Sequence, residues 1–232
     1  VKAHILFKLT TRSRPIKAKA SIDNIIEKCN SNDYTILVSI DEDDETMKNF
    51  DYKDDNVYIV RGKSKNKIDA INRDMNIFTH WDILINTSDD MVFNVKGFDE
   101  IIRQDFNGYY DQVLHYSDGF QKANIMTMSI MGIDYYNRFK YIYHPSYESL
   151  WCDAEATEVA WMLNKYKYMG DLKQLFTHMH PAWNMSEYDQ QYMKTEAHEV
   201  NEKDLKTFIQ RRNKNYNIPD HFIINKPTKF HV

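Results

Sequence analysis

Over residues 1–90 the chain alternates short apolar runs with stretches of helical periodicity, and three of the runs end in polar clusters. His4 to Leu9 (HILFKL) runs into Thr10-Thr11-Arg12-Ser13-Arg14-Pro15, a polar turn. Ala18, Ile22, Ile25, Ile26 and Cys29 then recur at helical spacing. Tyr34 to Ile40 (YTILVSI) ends at Asp41, and Val57 to Val60 forms a third run. Ile68, Ile71, Met75 and Phe78 mark a second amphipathic helix. Trp81 to Ile85 is the fourth run and ends in Asn86-Thr87-Ser88-Asp89-Asp90. This alternation predicts a mainly parallel sheet with helices on both faces. Ligands of such sheets sit at the carboxyl ends of strands. The clusters at 10–14, 41–44 and 87–90 are therefore expected to converge on one site.

Beyond residue 100 the pattern loosens. Val113 to Tyr116 and Ile125 to Met131 read as strands of a smaller mixed sheet, and Leu175 to Met179 as a short strand. Glu155 to Leu163 reads as a helix with Ala156, Val159, Ala160 and Leu163 on one face. Glu199 to Arg212 reads as a second, in a polar C-terminal tail. The expected organisation is one domain over 1–190, in two halves (1–100 and 101–190), and a helical tail over 191–232.

Composition removes several function classes. A chain of 232 residues can bury a substantial core without disulfides. Its charge is mixed and slightly negative, with no long basic stripe of the kind that binds a phosphate backbone. Nucleic acid is not indicated, although it stays open as an acceptor. Cys29 and Cys152 have no metal-finger spacing; one disulfide stays open, and a reduced interior is the simpler reading. No apolar run is long enough for a membrane span. The N-terminus shows neither a signal-peptide pattern nor an initiator Met, which reads as a trimmed chain or an excised domain.

The strongest local signal is Ser88-Asp89-Asp90-Met91-Val92-Phe93. Adjacent carboxylates at a strand end repel unless a cation or strong donors compensate. A hard divalent ion takes one or two carboxylates together with substrate phosphates. An alternative is a turn whose Asp side chains cap backbone amides. A second constellation, Trp151-Cys152-Asp153-Ala154-Glu155-Ala156-Thr157-Glu158, opens a helix. Its acids suit proton abstraction from a hydroxyl, and Asp153 equally suits a helix N-cap. A third is Phe176-Thr177-His178-Met179-His180-Pro181, where His178 and His180, two apart on a strand, share one face.

Together these segments resemble inverting family-2 glycosyltransferases of the GT-A fold. FKLTTRSRP resembles their first strand and nucleotide loop, VSIDEDD their second strand, Lys63 to Asn72 their phosphate-side loop and helix, and ILINTSDDMVF the strand ending in their Asp-x-Asp-like metal motif. The resemblance spans residues 4–180 and is best in the first hundred. It implies an α/β, Rossmann-like three-layer fold whose nucleotide-binding half is 1–100 and acceptor half 101–190, with a mainly parallel central sheet and a smaller mixed sheet in the acceptor half. It also implies a Mn²⁺ or Mg²⁺ ion and a nucleoside-diphosphate sugar donor, UDP-type favoured, with a glycan or other hydroxyl as acceptor. Thr87 and Ser88 stand where the usual motif carries an acid.

Carried onto this chain, the resemblance places Thr10, Thr11, Arg12 and Arg14 at the nucleotide edge and Asp41 on the base. Lys67 falls to the diphosphate. Asp90 becomes the metal ligand, with Asp89 near the ribose or metal-bound water, and His178 or His180 a further ligand. Asp153 is the first candidate for the general base and Glu155 the second. Trp151, Trp183 and clustered tyrosines are candidate acceptor platforms, and Asp118 with Ser129 to Gly132 resembles the region that reads donor sugar and acceptor. A nucleotidyltransferase is a weaker alternative, because TTRSRP lacks the glycine-rich phosphate loop. A non-catalytic carbohydrate-binding module and a retaining transfer are further alternatives. A cytoplasmic setting, in a bacterial or virus-infected cell, is the expectation.

Overall fold

A computed structural model describes residues 2–227. Its core is a seven-stranded sheet in the order β3-β2-β1-β4-β7-β6-β8. The first four strands are β1 (Ile5–Thr11), β2 (Tyr34–Asp41), β3 (Val57–Gly62) and β4 (Ile83–Ser88), all parallel. β7 (Ser129–Gly132) runs antiparallel to β4 and to β6 (Val113–His115), and β8 (Tyr166–Tyr168) is parallel to β6. The acceptor-half strands thus extend the central sheet. The small separate sheet is an antiparallel pair, β5 (Met91–Phe93) and β9 (Phe176–His178).

Alternation along β1 explains the layering, because residues two apart share a face. Ile5, Phe7 and Leu9 join the core under α1 (Pro15–Lys28) and α3 (Phe98–Phe106). Leu6, with Leu37, Leu84 and Met131, joins the core under α2 (Lys67–Asn72), α4 (Ile133–Phe139) and α5 (Cys152–Met162). Each such fully buried apolar side chain contributes roughly 1.5–3 kcal/mol. Phe93 and Phe98 stack at 3.9 Å on the first face.

Three local differences from the sequence reading have clear causes. The second helix stops at Asn72 and does not continue to Phe78, because Asp74 adopts a left-handed φ of 70°. The strand expected from Ile125 begins only at Ser129, since Asp118 holds the preceding loop by accepting from the amides of Phe120 and Gln121 and from Thr127. Lys8 is the one charged residue in the apolar run of β1, and it is fully buried. Its Nζ donates to Ser39, whose hydroxyl donates to Asp74 at 2.7 Å. Burial pushes the Lys8 ammonium down to about 7, against the pull of Asp74.

The C-terminal helix α7 (His198–Arg212) is fastened to α5 and its entry loop. Asp204 accepts from the backbone N–H groups of Glu148, Ser149 and Leu150, and Arg212 pairs with Glu158 at 2.9 Å. Both cysteines are free and buried. No helix among the described residues is long and apolar enough to cross a membrane.

β1 is flanked by β2 on one side and β4 on the other. The chain leaves β1 toward β2 and β3, then returns to place β4 on the opposite side. That reversal opens a crevice beyond the carboxyl ends of β1 and β4.

Candidate active site

The crevice gathers the loops that follow β1, β2 and β4. After β1, Thr11 Oγ1 donates to Asp89 Oδ2 at 2.7 Å, and Arg14 Nη1 donates to Asp89 Oδ1 at 2.9 Å. Thr10 Oγ1 is buried and has no hydrogen-bond partner among the described residues. Arg12 reaches across to β2 and pairs with Asp41 and Asp43, each at 2.7 Å.

The structure adds Arg73, which the sequence reading did not single out. Its guanidinium lies 3.9 Å from Asp41 and donates to the carbonyl of Ile40 at 2.6 Å. Gly62, at the end of β3, makes room for it: a Cβ there would stand 2.1 Å from Arg73 Nη1. Asp41 Oδ1 and Arg73 Nε are both buried without a hydrogen bond among the described residues. An acceptor and a donor are thus left side by side. The signal lay in the sequence as a glycine closing one strand and an arginine closing the next helix, but only the packing connects them.

Asp89 and Asp90 differ in chemistry although they are neighbours. Burial, and then the charge of Asp90, raise the Asp89 carboxyl, against Arg14 and Thr11. Burial would also raise Asp90. His178, with Ser88 and Tyr192, outweighs it and holds Asp90 well below the usual carboxylate range. His178 arrives through β9. Its register partner on β5 is Met91, the residue after Asp90, and the Met179 amide donates to the Asp90 carbonyl at 2.8 Å. His178 Nε2 lies 3.5 Å from Asp90 Oδ2, and its Nδ1 is buried without a partner among the described residues.

The histidine pair divides in role. The rings of His178 and His180 lie 4.9 Å apart, but His180 is held by Glu196 at 2.6 Å and by the Ala182 amide. No group of three or more His, Cys, Asp or Glu side chains among the described residues forms a complete metal cage. An ionised Asp90 with His178 Nε2 beside it fits a cation that would complete its shell with phosphate oxygens and water.

Asp153 sits in the first turn of α5, and the helix N-cap position is Trp151, with a left-handed φ of 62°. Burial raises the Asp153 carboxyl; the Ala154 amide and the charges of Lys67 and His178 oppose the rise. Lys67, exposed at the start of α2, and His178 are therefore within electrostatic reach of Asp153. Glu155 is committed elsewhere. It lies buried on the other side of α5, accepts from Tyr147 at 2.7 Å and forms a bidentate pair with Arg211. Trp151 likewise belongs to the scaffold, bonded to Asn201 and packed on Phe208. Trp183 stacks flat on Phe120 at 5.1 Å.

No protein-family model matches this chain, and no curated protein sequence does. Solved structures do match. A mannosyltransferase, PcManGT from Pyrobaculum calidifontis in complex with GDP-Man and Mn²⁺, aligns with a TM-score of 0.62 at 10% identity, over 95% of this chain and 77% of that one. S. aureus TarS 1-349 in complex with UDP-GlcNAc aligns with a TM-score of 0.57 at 13% identity. This alignment covers 80% of the present chain and 62% of that one, so the chain spans less than two thirds of that structure. At such identities the likeness is one of architecture: the chain has the GT-A fold seen in these nucleotide-sugar-bound glycosyltransferases.

Proposed function

We propose that this protein is a metal-dependent glycosyltransferase that moves a sugar from a nucleoside-diphosphate sugar to an acceptor hydroxyl, with inversion at the anomeric carbon. One observation carries the reading. His178 lies 3.5 Å from Asp90 and its charge also bears on Asp153, so the candidate cation ligand and the candidate base are both within electrostatic range of one histidine. The GDP-Man and UDP-GlcNAc in the two similar structures support the substrate class.

In this reading Asp41 and Arg73 offer an acceptor and a donor to the base edge, with Arg12 beside them. Thr11 and Arg14 orient Asp89 at the ribose side. Asp90 and His178 would hold the cation, Mn²⁺ or Mg²⁺, and the chemistry it would supply is neutralisation of diphosphate charge. Lys67, exposed at the start of α2, supplies a positive point charge toward the diphosphate. Asp153 takes the proton of the acceptor hydroxyl as its oxygen bonds to the anomeric carbon. The carbon–oxygen bond to the diphosphate breaks, and its electron pair leaves with the diphosphate. Desolvation makes Asp153 a stronger base than an exposed carboxylate.

UDP-sugars are the first donors to test and GDP-sugars the second. The test is turnover of a donor panel with Mn²⁺ or Mg²⁺, with the anomeric configuration of the product read by NMR. Inverted product supports the reading; retained configuration removes Asp153 from the role of base.

A further inference from the structure

The loops after β1 and β4 already hold a segment of the chain itself. Residues 186–196, which contain the short helix α6 (Gln190–Thr195), lie across the mouth defined by β1 and β4. Asp189 accepts a bidentate pair from Arg14, at 2.8 and 2.7 Å, and a third bond from Lys17 at 3.2 Å. The Tyr192 hydroxyl donates to Asp90 Oδ2 at 2.5 Å, and its ring lies under the Arg14 guanidinium at 4.1 Å. Glu196 holds His180. Lys194 lies close enough for its charge to act on Asp43. One eleven-residue stretch (186–196) thus bonds to the loops after β1, β4 and β9.

Two features make this stretch an occupant and not a permanent wall. Its grip is almost entirely polar. Tyr192 is the only buried residue of α6, while Tyr188 and Met193 are 53% and 63% exposed. A six-residue helix has little stability of its own, and a segment with few apolar contacts opens at low cost. The second feature is chemical mimicry. A carboxylate held by a bidentate arginine and a lysine is bound as a phosphate would be, and the tyrosine hydroxyl occupies a cation ligand.

We propose that segment 186–196 is an internal occupant of the donor site: Asp189 takes the place of a donor phosphate on Arg14 and Lys17 while Tyr192 covers Asp90, so its docking and the binding of nucleoside diphosphate with cation exclude each other. This rests on the donor-site reading above and adds Lys17, and a phosphate-binding role for Arg14, to the diphosphate-binding residues. The closed form lowers apparent donor affinity by the fraction of time it is docked.

The test is hydrogen–deuterium exchange on the full chain, without ligand and with Mn²⁺ plus UDP or GDP. Ligand should speed exchange in peptides covering 186–196 and slow it in those covering residues 10–17. The double variant Asp189→Asn/Tyr192→Phe should show fast exchange over 186–196 without ligand and bind the nucleotide about tenfold more tightly. If 186–196 instead becomes more protected on binding, the segment closes over the donor; the displacement proposal is then overturned while the donor site stands. If neither nucleotide, with Mn²⁺, alters any peptide in either protein, the donor-site reading fails and takes the proposal with it.

Discussion

His178 Nε2 lies 3.5 Å from Asp90 Oδ2 because the short antiparallel pair β5–β9 places His178 opposite Met91. A two-strand ribbon outside the main sheet therefore sets the electrostatics of the acid pair. His178→Ala should raise the Asp90 carboxyl toward its ordinary range and lower kcat/KM at least about tenfold. Because Asp90 is depressed in the folded protein, its stabilisation is present above the unfolded carboxylate pKa, about 3.9, and is lost as pH falls below it. Acid denaturation of wild type and His178→Ala, followed by circular dichroism, should show a shallower acid loss in the variant.

Asp153 gives the second expectation. Asp153→Asn should lower kcat by on the order of 10²–10⁴ and leave nucleotide affinity unchanged. In wild type the rate should rise with pH through a value above the ordinary carboxylate range, because burial raises this carboxyl and the base must be ionised. A pH–rate profile of both proteins reads this directly; the acid limb should be missing in the variant.

Glu155 should behave in the opposite way. Removing one partner of its buried pair with Arg211 is expected to cost about 3–5 kcal/mol. Glu155→Gln should therefore lower Tm clearly while kcat and KM stay near wild type at a temperature where it is folded. A loss of kcat without a loss of Tm would return Glu155 to the candidates for the base.

Lys8 yields a stability signature separate from catalysis. Burial lowers its ammonium to about 7 in the folded chain, against roughly 10.4 unfolded. Below pH 7 both states carry the proton and folding bears the full desolvation cost. Between pH 7 and 10 the unfolded chain holds the extra proton, so rising pH relieves that cost. The stability of Lys8→Met relative to wild type should fall by on the order of 3–5 kcal/mol from pH 7 to 10, measured by urea denaturation at each pH.

The sheet and the placement of the acid pair were legible because they rest on local periodicity. Leu6, Leu37 and Leu84 alternate with Phe7, Ile36 and Ile85, and each parallel strand runs straight into its polar loop. What the sequence did not reveal depends on long-range packing. Arg73 is a surface-type residue until Gly62 admits it beside Asp41. Glu155 and Asp153 are equivalent early-turn acids until α7 brings Arg211 to one of them. Asp189 and Tyr192, on either side of the expected domain boundary, carry no periodicity that would direct them to Arg14 and Asp90.

In the function proposed above, Asp90 would anchor the cation that carries the donor diphosphate. Isothermal titration of UDP and GDP into wild type and Asp90→Ala, with Mn²⁺ and with EDTA, tests it most directly. Wild type should bind one of the nucleotides only with Mn²⁺, and Asp90→Ala should lose at least about a hundredfold in affinity, roughly 2.7 kcal/mol, while keeping its fold by circular dichroism. Equal, Mn²⁺-dependent affinity in the two proteins would contradict the account.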